Sequence, residues 1–273
     1  MAFPTACYPH GGKQTAAPFV GPLDAYEGIS TGAWSLVRRL LTSYTGNLIR
    51  IRRTSDSVEQ DFGPLANGRL DVAGVLTFLG GGSGVVTTVY DQLTLNNWVQ
   101  ASGAMQPAWV EGLSEFNNAP AMYLGSAVGM ECALNLTVPY SVLLTECNPL
   151  PLVNAGARTF TTLAQNAYIN SSRPGGAGQA YYNGTIAPGF VTDAAVCEVL
   201  TAPNGGNFSL YTDGVDVTSG AVATGDWGLC KLGVSGWNGE SALSNVAEIV
   251  TFNTDLSGAQ VTAMQAIFNP ATL

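Results

Sequence analysis

The chain has 273 residues and a net charge of −9, with only 11% charged residues against 46% hydrophobic ones and 33 glycines. A pI near 4.4 denies it the basic surface that binding to a phosphate backbone requires, and the composition disfavours disorder and long solvated helices. No apolar run is long enough to span a bilayer as a helix, and the lone His10 leaves no base in the body for Ser-His or Cys-His catalysis.

Residues 1–20 hold three prolines and paired glycines without periodicity, and they read as an extended arm ahead of one β-rich domain over residues 21–273. The start of the chain has no basic segment followed by an apolar core, so the expectation is a protein made in the cytoplasm. Trp34, Val37, Leu40, Leu41 and Tyr44 recur at helical spacing between a Ser30 or Thr31 cap and Gly46, predicting a helix over 31–44. Residues 47–53 alternate, with Ile49 and Ile51 on one face and Arg50 and Arg52 on the other, as a half-wet strand does. Leu70, Ala73, Leu76 and Leu79 predict a second helix that ends at Gly80-Gly81-Gly82, and residues 85–90 form a buried strand. Six of the ten basic residues fall between Arg38 and Arg69, interleaved with Asp56, Glu59, Asp61 and Asp71. That pattern describes a neutralised surface.

Further on, Met130, Cys132, Leu134 and Leu136 alternate with Glu131, Ala133 and Asn135, which puts the first set on one face of a strand. Strands are also expected at 122–124, 140–146, 159–163, 167–170, 180–183, 194–200, 207–212, 229–237 and 244–253. Asp213-Gly214 is a hairpin turn because the pair tolerates positive φ. Ser257 and Gln260 fit a capping box at the start of a closing helix that buries Val261, Met264, Ile267 and Phe268.

The run from Ser35 to Gln100, sharpest at Tyr90-Asp91-Gln92 and Asn96-Asn97-Trp98, resembles the N-terminal part of the α-L-arabinofuranosidase B catalytic domain. It also resembles lectin-like proteins of tailed bacteriophages. Both belong to the concanavalin A-like lectin/glucanase superfamily, and the hairpin at 208–220 and the closing strands resemble the laminin G-like members of it. The resemblance implies an all-β antiparallel β-sandwich, a jelly roll, with a few short helices. It further implies a non-enzymatic virion structural protein: a decoration, spike or tail-fibre component, made in the host cytoplasm and located in the virion. Such a protein would be a homo-oligomer that meets other virion proteins through its arm and touches host-surface glycans. The alternatives are a glycoside hydrolase of the arabinofuranosidase type and a bacterial carbohydrate-binding or adhesion module.

The resembled hydrolases are retaining, with a nucleophilic Glu in a His-Met-Glu context after a pair of adjacent cysteines. Here Gly129-Met130-Glu131 lacks the His, the adjacent cysteines are missing, and no motif places the general-acid Asp. Glu131 therefore reads as an outward-facing strand residue, and no catalytic residue is assigned. Sugar sites set an aromatic plane beside Asp and Asn. The candidates for carbohydrate binding are Trp98, Asn96, Asn97, Trp109, Asp226, Trp227, Trp237 and Asn238, although tryptophans in a sandwich are more often core. Tyr90-Asp91 reads as structural, closing a strand end onto the first helix. No cofactor is expected, and calcium would need Asp91, Asp213, Asp216 and Asp226 at strand ends. Cys7, Cys132, Cys147, Cys197 and Cys230 are odd in number and lack CxxC spacing, so zinc is not expected. Cys132, Cys197 and Cys230 read as buried thiols, with a Cys132–Cys147 bridge left open.

Overall fold

A computed structural model describes residues 18–125, 128–147, 159–162, 167–170, 179–182, 185–188, 195–218, 225–226, 228–233 and 244–273. It is an all-β antiparallel sandwich with a few short helices. Strands are numbered along the chain. The first layer is centred on β9 (Tyr140–Cys147), which pairs on one side with β14 (Ala195–Ala202) and on the other with β18 (Ser244–Phe252). β14 continues into β15 (Ser209–Thr212) and β16 (Val215–Asp216). The far edge of β18 is shared by β1 (Ser30–Ser35) and β7 (Ala119–Leu124).

The second layer runs from β3 (Glu59–Phe62) through β2 (Ile49–Arg53), β4 (Gly84–Val89), β5 (Trp98–Val99), β8 (Gly129–Leu136) and β17 (Gly228–Gly233) to β10 (Phe160–Thr162). Beyond it lie β11 (Ala167–Asn170), β12 (Gln179–Tyr182) and β13 (Thr185–Pro188). β6 (Ala108–Leu113) pairs with both β4 and β7 and so joins the layers.

The main core lies between the layers, where Ile49, Ile51, Val86 and Met130 of one meet Trp34, Val142, Leu144 and Ile249 of the other. A second core lies on the outer face of the first layer. There Leu143, Val199, Val250 and Phe252 pack against Val261 and Met264 of α2 (Gly258–Ile267) and Phe268 at its C-cap. Because both faces of β9 are covered, all eight of its residues are buried. The expected capping box is present at Ser257 and Gln260, and Gln265 anchors the helix by donating Nε2 to Cys197 O at 2.8 Å. The Asp213-Gly214 turn takes positive φ at both residues and joins β15 to β16.

The helix expected over 31–44 is not formed. Residues 24–29 make a 3-10 turn, β1 follows, and the chain then runs irregularly to β2. The apolar spacing misleads because these side chains do not share a face: Trp34 and Leu36 enter the main core, Val37 a third cluster, and Leu40 and Leu41 the core under α2. Gly32 is required here, since a Cβ would lie 2.0 Å from the Trp34 ring. The second helix forms as α1 (Val72–Leu79), capped by Asp71 and ended by Gly80 in the left-handed region. The short strands β3 and β6 escape the sequence reading, as neither has an alternating apolar run. Residues 234–237, expected to extend β17, lie outside the described residues, as do residues 1–17 of the expected arm.

Three of the six basic residues meet carboxylates, whereas Arg52 bonds Gln106 and Arg39 covers the Phe19 ring. Arg50 forks onto Asp61, Arg53 onto Asp56, and Arg38 onto Glu248 at 2.9 and 2.8 Å. Only the last pair is buried, with side-chain exposures of 15% and 0%. Ser35 Oγ also donates to Glu248 Oε1 at 2.7 Å, and Arg38 donates to Ile267 O, so the pair ties β1 to β18 and to the end of α2. Leaving one buried charge alone costs about 3–5 kcal/mol, whereas replacing both with apolar groups is often near neutral. Glu248→Ala is expected to destabilise by that amount in urea unfolding, and Arg38→Met with Glu248→Leu by clearly less.

Candidate active site

A single acidic residue inside an otherwise apolar, doubly covered strand is a buried carboxyl. β9 and β14 each supply one. Register pairs Val196 with Glu146 and Glu198 with Leu144, so the two carboxyls are diagonal neighbours on one face, within reach of long side chains. The face is the one toward the main core, because Leu144 and Val196 lie in it. Both glutamates are fully withdrawn from solvent. Burial, then the charges of Glu146 and Asp213, push Glu198 well above the usual carboxylate range. Ser244 Oγ, from the start of β18, donates to Glu146 Oε2 at 2.7 Å.

Two adjacent carboxyls are the groups that acid-assisted displacement at an acetal carbon employs. Glu198 can give a proton, and Glu146 has an oxygen fixed by a hydroxyl donor. Sequence reading passed over both, although a lone Glu in each of the apolar runs 140–147 and 195–202 was the available signal.

Glu131 is placed as expected, on the outer face of β8. It is 62% exposed and bonded to Lys231 Nζ at 2.7 Å. It borders an open groove of about 440 Å³ together with Leu95, Asn96, Asn97, Val99, Cys132 and Leu229, and among the described residues no second carboxylate lines that groove.

The residues picked for sugar contact are scattered. Trp98 is fully buried, edge-on to Trp34 at 5.6 Å and to Phe160 at 5.9 Å, so its ring plane is closed to a ligand. Trp109, 8% exposed, borders a separate 210 Å³ hollow beside Gly81–Gly84 and Glu111. Asn97 Oδ1 accepts from Asp91 N at 2.9 Å, and Asn96 Nδ2 donates to Thr94 Oγ1 at 3.0 Å. Asp226 Oδ1 accepts from Val138 N at 3.1 Å on an exposed loop. Trp227, Trp237 and Asn238 lie outside the described residues.

The aspartates considered for calcium are apart and bonded locally. Asp91 accepts from Ala33 N and Leu93 N, Asp213 from Cys197 N, and Asp216 from Thr218 N. Among the described residues no group of three or more His, Cys, Asp or Glu side chains is placed to hold a metal ion, and no helix is long and apolar enough to cross a membrane.

The described residues thus form a two-layer antiparallel sandwich with two buried carboxyls side by side in its first layer. The model of the alpha-L-arabinofuranosidase B catalytic family matches residues 22–169, more than half of the chain, and the chain belongs to that family. It is 30% identical over 128 residues to an arabinofuranosidase/β-xylosidase of Trichoderma koningii, and 32% identical over 129 residues to a probable alpha-L-arabinofuranosidase B of Aspergillus fumigatus. Each match covers 46% of this chain and 24% of the relative, so the chain spans about a quarter of those proteins' length.

In structure it is similar to an arabinofuranosidase complexed with arabinofuranosyl-α-1,2-xylobiose, at a TM-score of 0.75, and to a GH54 α-L-arabinofuranosidase soaked with a cyclic sulfate inhibitor, at 0.74. Both are 16% identical, over 92% of this chain and 65% of theirs, and they establish the fold. The matches correct the expectation of a phage decoration, spike or tail-fibre protein. The relatives found are fungal arabinofuranosidases, so the virion location falls with that reading. The resemblance at Tyr90-Asp91-Gln92 was shared by a hydrolase family and a phage group, and only the hydrolase side is matched.

Glu198 gives the fold a pH signature. Its folded pKa is raised, so above the ordinary carboxyl value of 4.5 the unfolded chain gives up its proton while the folded one keeps it. Stability therefore falls as pH rises through that window. Glu198→Gln, neutral at every pH, is expected to melt higher than the parent at neutral pH and alike at pH values below 4.5, as thermal unfolding across pH would show.

Proposed function

We propose that this chain is the hydrolytic β-sandwich of a glycoside hydrolase acting on α-L-arabinofuranosides. The observation that carries the reading is the Glu146–Glu198 pair, two carboxyls side by side with Glu198 held protonated by burial and by its neighbours. Family membership and the names of the relatives supply the sugar. In this reading Glu198 protonates the glycosidic oxygen as its bond to the anomeric carbon breaks, and Glu146 takes that carbon. Water, deprotonated by Glu198, then releases arabinose. Ser244 acts as a positioning residue, holding one oxygen of Glu146. Glu131 stays outside the chemistry, since its partner is a lysine.

The test is release of the aryl alcohol from an aryl α-L-arabinofuranoside. Glu146→Gln and Glu198→Gln are each expected to lower kcat by about 10²–10⁴-fold while the circular dichroism of the folded sheet is retained. Glu131→Gln should keep the parent rate. A parent protein without turnover, or a Glu146→Gln variant at full rate, would rule the assignment out.

A further inference from the structure

β8 and β17 bring two cysteines face to face. Cys230 is the register partner of Cys132, flanked by the Lys231–Glu131 ion pair that fixes the same register on the opposite face. Both sulfur-bearing side chains point into the main core. Directly opposed residues of antiparallel strands have Cα atoms about 4.5–5.5 Å apart, inside the roughly 4.4–6.8 Å that a disulfide spans. The ladder is irregular here: Leu229 pairs with Asn135 and Cys230 with Cys132, leaving Ala133 and Leu134 as a bulge. A bulge of that kind lets the backbone adjust when a bond forms. Cys132 and Cys230 also border the open groove beside Asn96, Leu95 and Val99, with Cys132 5% and Cys230 1% exposed, so a reagent reaches Cys132 when this groove edge opens. The Cys132 thiol donates to Asn96 O at 3.1 Å, and Trp34 Nε1 donates to the same oxygen at 3.0 Å.

We propose that Cys132 and Cys230 form a reversible cross-strand disulfide, and that making it releases the Asn96 lip of the groove. With a low-molecular-weight disulfide such as oxidised glutathione as oxidant, the Cys132 thiolate attacks one sulfur of that disulfide and displaces one glutathione thiolate. The Cys230 thiolate then attacks Cys132 Sγ and displaces the second. The two protein thiols lose two electrons and two protons, which leave on two molecules of reduced glutathione. The bond consumes the thiol hydrogen that Cys132 gives to Asn96 O, so that carbonyl keeps only its bond from Trp34. Burial raises both thiols, Cys132 to about 12, which makes the reaction slow and the bond, once formed, sheltered. Of the two pairings, this register favours Cys132–Cys230 over the Cys132–Cys147 bridge left open by the sequence, because Cys147 lies in the other layer on a different cluster.

The folded chain would be incubated with oxidised glutathione, alkylated, digested and mapped by mass spectrometry, with deuterium exchange followed in parallel. The expected product is a peptide pair joining Cys132 to Cys230, two hydrogens lighter than the thiols, reversed by dithiothreitol, with faster exchange over residues 94–97. Cys230→Ser should stop at a glutathione adduct on Cys132. A stable adduct on Cys132 in the parent, or both thiols recovered unchanged after a time that oxidises the unfolded chain, would overturn the proposal. Unchanged exchange over 94–97 in the cross-linked protein would overturn its effect on the groove.

Discussion

The fold depends on how Asp91 and Gln92 bind the irregular backbone after β1. Asp91 Oδ1 accepts from Ala33 N at 3.0 Å, Gln92 N donates to Ala33 O at 2.8 Å, and the Gln92 amide takes Leu40 N at 2.6 Å and gives to Arg38 O at 3.1 Å. Residues 36–41 are largely buried and have no ladder of their own. Their peptide groups need side-chain partners, because an unpaired buried amide costs about as much as a lost hydrogen bond. Gln92 provides two of those partners and Ser35 Oγ two more, at Val37 N and Arg38 N, while Asp91 pins the adjoining Ala33 N. The stitch joins the end of β4 in one layer to β1 in the other, and it holds Trp34 between them against Trp98. The motif that most strongly marks the family is thus structural in this chain. The role expected for Tyr90-Asp91 is met, with a strand in place of the helix it was expected to close.

From this joint the polar content of the first layer follows. β9 and β18 are covered on both faces, so each acidic residue they carry must find a partner inside the protein. On the α2 side, Glu248 is met by Arg38 and Ser35 and becomes a clamp. On the core side, Glu146 lies diagonally beside Glu198 and accepts from Ser244. Glu248 is met by a guanidinium, whereas burial and neighbouring acids push Glu198 well above the usual carboxylate range.

The parts legible in the sequence are those whose signal is local. The alternation of β8 placed Met130, Cys132, Leu134 and Leu136 inward as read, and the Asp213-Gly214 turn and the Ser257–Gln260 box are set by residues within one turn of each other. The irregular segment 36–41 was not legible, because helical spacing arose from side chains dispersed into three clusters. Nor was the carboxyl pair, since its two strands are brought together only by the register of β9 with β14. The tryptophans failed as site markers for a related reason: Trp98 sits beside turns in sequence, yet β5 lies between β4 and β8 and faces it inward.

The account turns on Glu146 being the group that meets the anomeric carbon. The most direct measurement is peptide mapping of the protein after reaction with an arabinofuranose-configured cyclic sulfate, which traps a carboxylate nucleophile as an ester. A single label on Glu146, absent in Glu146→Gln and in protein protected by arabinoside, is the predicted result. A label on Glu131 or another carboxylate, or none under conditions where arabinoside is turned over, would contradict it.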